Sequence, residues 1–178
     1  MANTTFQGPV ISKSGFITTG PANVVDADAS VALTVATHAG RIVHNNAAGA
    51  VTYTLPAINA NSDSASAGPG ADPNNLSNIG ATFEIFASIT KTGGLVVQVA
   101  NSNDVMVGGA KFIDDTSDNM VGFETASTSD TITLNGSTTG GVTFSKITCT
   151  AISSTQWKVD VESGCTGSPA TPFSAAVS

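Results

Sequence analysis

The sequence predicts an all-β fold: an antiparallel β-sandwich or jelly-roll-like barrel carrying an extended N-terminal arm. Three observations carry this reading. About nine short apolar runs recur at roughly ten-residue spacing with turn residues between them. No segment sustains the 3.6-residue period of an amphipathic helix. The stretch from Thr131 to Glu162 reads as an antiparallel meander. In it Ile132 and Leu134 alternate with threonines, and Asn135-Gly136 and Gly140-Gly141 supply turn or bulge chemistry. Val142 and Phe144 hold one parity and Ile147, Cys149 and Ala151 the other, a phase change near Ser145-Lys146 that reads as a bulge. Ser153-Ser154-Thr155 closes a hairpin, after which Trp157, Val159 and Val161 point inward and Lys158, Asp160 and Glu162 outward.

Residues 1–25 read as the extended arm. Phe6, Val10, Phe16 and Ile17 are apolar but not at helical spacing, and Gly8-Pro9, Gly15 and Gly20-Pro21 interrupt them. Such an arm reaches roughly 80 Å when fully extended. Its aromatics either fold back on the domain's own core or anchor on another subunit. On the second reading Phe6, Gly8, Pro9, Val10, Phe16 and Ile17 form a capsid- or subunit-binding site.

Residues 26–178 read as a single β domain. Val31 to Val35 alternates as a strand, and His38-Ala39-Gly40 is a turn. Arg41–His44 and Ala50–Leu55 form a hairpin around Asn45–Gly49, closed by Pro56. Residues 59–78, almost wholly polar or small, are an exposed excursion loop. Ala81–Ile89 and Leu95–Val99 are strands joined by the turn Lys91–Gly94. Asp104–Gly109 is a short apolar run ended by its glycine pair, and Lys111–Ile113 and Met120–Phe123 flank the acidic turn Asp114–Asp118. From residue 164 the tail is irregular except at Pro172-Phe173. The expected core is Val51, Tyr53, Leu55, Phe83, Ile85, Val97, Ile132, Leu134, Ile147, Trp157, Val159 and Val161.

Composition narrows the function. Charged residues make up only 11% of the chain and the formal net charge is -7. The polar surface is therefore built from Thr, Ser, Asn and Gly, which suits rigid packing against neighbours. The six Lys and Arg are scattered, so the clustered positive footprint of a nucleic-acid binder is missing. No apolar run approaches the roughly 18 residues of a membrane-spanning helix, and no basic-then-apolar leader opens the chain. The partners expected are thus neither nucleic acid nor membrane. Cys149 and Cys165 do not make a disulfide framework. The hairpin register pairs Cys149 with about position 159, so a bridge to Cys165 needs the tail to fold back. A buried Cys149 and an unpaired Cys165 fit assembly in a reducing cytoplasm.

Residues able to do chemistry are few. His38 and His44 are the only histidines. A Ser–His–acid set drawn with either is arbitrary without a nucleophile motif, so the chain is expected not to be an enzyme. His44 follows the inward Val43 and reads as a hydrogen-bonded surface histidine. Asp114, Asp115 and Asp118 offer oxygen ligands but not the spacing of an EF-hand, and read as a solvated acidic turn. No zinc pattern and no phosphate loop is present, and no cofactor is expected.

One resemblance runs through these segments. Thr4-Thr5-Phe6-Gln7-Gly8-Pro9-Val10 with Ser14-Gly15-Phe16, then Gly49-Ala50-Val51-Thr52-Tyr53-Thr54-Leu55-Pro56, then Asp104 to Gly109 form an ordered series. Ser129 to Gly141, Trp157-Lys158-Val159 and Pro172-Phe173-Ser174 continue it. The series resembles small virion proteins of tailed bacteriophages, especially marine phages, known as virion structural or head decoration proteins. The resemblance implies a decoration, or cement, protein that binds the major capsid protein on the outer surface of the assembled head and stabilises it. It also implies a homotrimer at threefold positions, made in the cytoplasm of the bacterial host. A receptor- or glycan-binding fibre module is the alternative, disfavoured because Trp157 and Tyr53 fall at inward parity.

Overall fold

A computed structural model describes residues 23–59 and 77–177 of the chain. The site residues Phe6, Gly8, Pro9, Val10, Phe16 and Ile17, and most of the excursion loop, lie outside the described residues.

Twelve strands and one helical turn follow in order: β1 (Val24–Asp26), β2 (Val31–Ala32), α1 (Val35–His38), β3 (Ile42–Asn45), β4 (Val51–Thr54), β5 (Thr82–Ala87) and β6 (Leu95–Gln98). Then come β7 (Val105–Asp114), β8 (Asn119–Glu124), β9 (Thr131–Leu134), β10 (Ser145–Ala151), β11 (Gln156–Cys165) and β12 (Phe173–Ser174). They make two sheets packed face to face, one of seven strands in the order β1-β3-β5-β10-β11-β7-β8 and one of five in the order β12-β9-β6-β4-β2. The fold is a β-sandwich, and the described strands do not close into a barrel.

The sheets are mixed, which corrects the expectation of an antiparallel sandwich. β1 pairs parallel with β3 and β3 with β5; in the other sheet β2 pairs parallel with β4 and β4 with β6. Each of the pairs β1/β2, β3/β4 and β5/β6 therefore sends its first strand to one sheet and its second to the other. Three such arches stack in parallel. The expected hairpins Arg41–Leu55 and Ala81–Val99 are two of these arches. The reason is geometric: alternation turns one face of each strand toward the core whether the next strand pairs beside it or crosses the roughly 10 Å gap to the facing sheet.

Register lines the core up in rows. In one sheet Val25, Val43, Ile85, Ile147, Val161, Ala110 and Phe123 lie side by side. Opposite them run Tyr53, Val97, Ile132 and Phe173, with Val31 at the exposed end of the row. All of the expected core residues are buried, and Trp157 sits among them in edge-to-face contact with Phe83, ring centroids 5.8 Å apart.

Four local expectations are corrected. Val31–Val35 is not one strand: Thr34 takes the N-cap position, its Oγ1 accepting from the Thr37 amide at 3.3 Å, and a helical turn ends at a buried His38. Gly108-Gly109 does not end a strand, because β7 runs through it to Asp114. A Cβ at Gly108 would lie 1.8 Å from the Val159 carbonyl oxygen, so glycine permits the close approach to β11. Val142 and Phe144 are not strand residues, and the phase change is not a bulge: Phe144 adopts φ 74° and β10 begins after it. Last, the run from Thr131 is no single meander, since β9 joins the five-stranded sheet while β10 and β11 pair in the other. The β10–β11 hairpin does match Cys149 with Val159. β11 continues to Cys165, one residue past the expected start of the tail.

Candidate interaction surfaces and polar clusters

The described chain enters at Asn23, whose carbonyl accepts from the Ile42 amide at 2.9 Å, and passes straight into β1 at one edge of the seven-stranded sheet. Residues 1–22 therefore join the domain at that edge. The opposite edge is β8, which among the described residues has a neighbour on one side only.

Two polar clusters tie the stacked arches together. The first is buried. Lys91, 2% exposed, donates from Nζ to Asn45 Oδ1 at 2.7 Å and to the Ala47 carbonyl. Asn45 Nδ2 donates to Tyr53 Oη at 2.8 Å and to the Ala27 carbonyl at 3.0 Å, and the Tyr53 hydroxyl donates to the same carbonyl. Ala27 of the first arch, Asn45, Ala47 and Tyr53 of the second and Lys91 of the third thus meet in one hydrogen-bonded network, which is how a buried lysine without a carboxylate contact is tolerated. Burial lowers the Lys91 pKa against the pull of the Asp28 carboxylate. Burial also pushes Tyr53 up to about 12; the Asn45 hydrogen bond opposes this and Asp28 adds to it.

The second cluster is on the surface and has the connectivity of a hydrolase triad. His44 Nδ1 lies 2.7 Å from Asp26 Oδ1 and His44 Nε2 2.9 Å from Ser88 Oγ. Sequence reasoning held no means of choosing Ser88 and Asp26, which come together only because β1, β3 and β5 stack in parallel. The surroundings differ from those of a hydrolase triad in two respects. The Ser88 amide is spent on the Asn45 carbonyl at 3.0 Å and so cannot hold an oxyanion. The Asp26 side chain is 80% exposed, where water screens the carboxylate that would steady an imidazolium. Ser88 Oγ also lies 3.2 Å from Asn46 Oδ1. This arrangement is a polar clamp across the outer ends of the arches.

The acidic turn is a capped turn. Asp114 is buried, accepts from the Thr116 amide at 2.9 Å and from the Ser117 hydroxyl, and these bonds hold its carboxyl below its ordinary pKa. It does not come together with Asp115 and Asp118 as a ligand set: among the described residues no three acidic, His or Cys side chains cluster as a metal site. Cys149 and Cys165 are both free and buried. Burial pushes the Cys149 thiol up to about 12.

Large apolar side chains are also left in solvent. Where β7, β8 and β11 meet on the outer face of the seven-stranded sheet, Met120 is 73% exposed, Ile113 56% and Phe144 51%. Together with Lys111, Glu162 and Ser163 they line a concavity of about 260 Å³. No protein-family model, curated protein or solved structure matches this chain. Among the described residues no helix is long and apolar enough to cross a membrane.

Proposed function

We propose that the chain is a structural protein of a bacteriophage particle: a decoration, or cement, protein that binds the outside of the assembled head and reinforces it without catalysing a reaction. The ordered resemblance to phage head decoration proteins carries this reading. The character of the domain supports it. Only 11% of the chain is charged, its strands are held by interlocked arches, and large apolar groups remain exposed outside the core. Many identical copies on one lattice add modest contacts into firm attachment. The arm residues Phe6, Gly8, Pro9, Val10, Phe16 and Ile17 make the contacts to the major capsid protein or to a neighbouring subunit, and the functional unit is a trimer at threefold positions. The fibre-module alternative gains nothing from the aromatic residues Trp157 and Tyr53, since both are wholly buried.

The test mixes purified chain with phage heads stripped of it and measures bound copies by sedimentation and quantitative gel analysis. Saturation at hundreds of copies per head, with raised resistance of the heads to heat, is the expected outcome. Saturation at a few dozen, or binding to cell-surface glycan instead of heads, overturns it.

A further inference from the structure

We infer that the exposed apolar corner formed by Ile113, Met120 and Phe144, beside the free edge of β8, is the docking site for residues 1–22 of a second copy of this chain. The corner is built, not incidental. Phe144 is held at φ 74°, a backbone region that costs a bulky L-residue about 1–2 kcal/mol, and its amide is fixed to the Ala87 carbonyl at 2.9 Å. The ring lies over Gly164, where an added Cβ would come within 3.1 Å of Phe144 Cζ. Strain of this kind is spent on keeping an aromatic ring in solvent, where the isolated domain gains nothing from it.

The neighbouring edge has the backbone that an extended segment needs. β8 reads Asn119-Met120-Val121-Gly122-Phe123-Glu124 and contains no lysine, no proline and no bulge, the usual protections of an exposed edge. An added strand would take its unpaired amides and carbonyls and set alternate side chains against Met120 and Ile113, which are register partners across β7 and β8.

The occupant is chosen by sequence and reach. Residues 1–22 carry Phe6, Val10, Ile11, Phe16 and Ile17, with no acidic residue and one lysine, Lys13, in a chain of net charge -7. The acceptor face carries Glu124, Asp160 and Glu162 together with Lys111, Lys146 and Lys158, so it is balanced in charge and suits a nearly uncharged segment that docks through its apolar side chains. The segment leaves the domain at β1, six strand spacings from β8, roughly 29 Å at the usual interstrand distance. Its own corner lies across the whole outer face, past the Lys146–Glu162 and Lys158–Asp160 ion pairs. A neighbour's β8 can be reached without that crossing. A β1-edge to β8-edge contact is head-to-tail, and closes into a ring when the rotation allows. The inference concerns contacts between copies of the chain and stands apart from binding to heads.

The experiment uses the full-length chain without heads. A photo-crosslinking benzoylphenylalanine replaces Phe16 in an isotopically heavy preparation, mixed with light chain, and native mass is measured in parallel. Heavy–light adducts on peptides containing Met120 or Phe144 are expected, with an oligomer that Met120→Glu and deletion of residues 2–20 each reduce to monomer while circular dichroism stays unchanged. Adducts confined to the same chain, or to other peptides, overturn the inference, as does a monomeric wild-type chain. An oligomer lost in Met120→Glu but kept after the deletion also overturns it, because the corner then pairs with its own counterpart.

Discussion

Replacing Trp157 with alanine removes the largest side chain of the core. It is wholly buried between the sheets and meets Phe83 edge to face at 61°. The usual scale for such a truncation is about 3–5 kcal/mol, and the lost aromatic pair accounts for about 0.5–1.5 of it. One term works the other way. Trp157 Nε1 is buried with no hydrogen-bond partner, and an unsatisfied donor of that kind costs about 1–3 kcal/mol in the wild-type fold. Alanine removes that cost along with the ring, so the expected loss is about 3 kcal/mol, at the low end of the range. Phenylalanine keeps most of the packing and deletes the orphaned donor, so Trp157→Phe should cost less than about 1.5 kcal/mol. Urea unfolding followed by far-ultraviolet circular dichroism measures both, since each variant lacks the only tryptophan fluorophore. A shifted midpoint at constant slope reads as a stability change. If Trp157→Ala costs under about 1 kcal/mol, the side chain is not a core element. If Trp157→Phe costs as much as Trp157→Ala, the indole N–H has a partner and the argument from its isolation fails.

Three further outcomes follow from the polar clusters. Lys91→Met should destabilise the domain by about 1–3 kcal/mol in the same assay, because Asn45 Oδ1 and the Ala47 carbonyl lose their donor; a more stable variant refutes the network. Thermal stability should fall as pH rises from about 9 toward 12, since folded Tyr53 and Cys149 keep protons that the unfolded chain releases near their ordinary values of 10.0 and 9.0. Lys91, lowered in the fold from 10.5, acts in the opposite sense, its burial cost easing as pH approaches that value. A Tm that stays level across that range, or fails to fall less steeply in Tyr53→Phe, contradicts the assignment. A fluorophosphonate probe should leave Ser88 unlabelled; stoichiometric, His44-dependent labelling would make the Asp26–His44–Ser88 cluster a working nucleophile.

Period-two alternation along the chain determines which side chains face inward, and for that reason every residue of the expected core is buried. Turn chemistry at Ser153-Ser154-Thr155 and Asp114–Asp118 determines the two hairpins whose strands are adjacent both in sequence and in space. Alternation is silent about which sheet a strand enters, because a strand facing the core from either side shows the same pattern. Only the tertiary structure decides that Asn45–Gly49 and Lys91–Gly94 span two sheets, that the arches stack in parallel, and hence that Asp26, His44 and Ser88 meet outside and Lys91, Asn45 and Tyr53 inside. The same holds for Phe144, which alternation assigns to a strand. The approach of its backbone to Ala87 and of its ring to Gly164 instead places it in a left-handed turn facing solvent. Local periodicity encodes how far each side chain is from water; it does not encode which distant segment lies on the other side, because that depends on closing loops between residues dozens of positions apart.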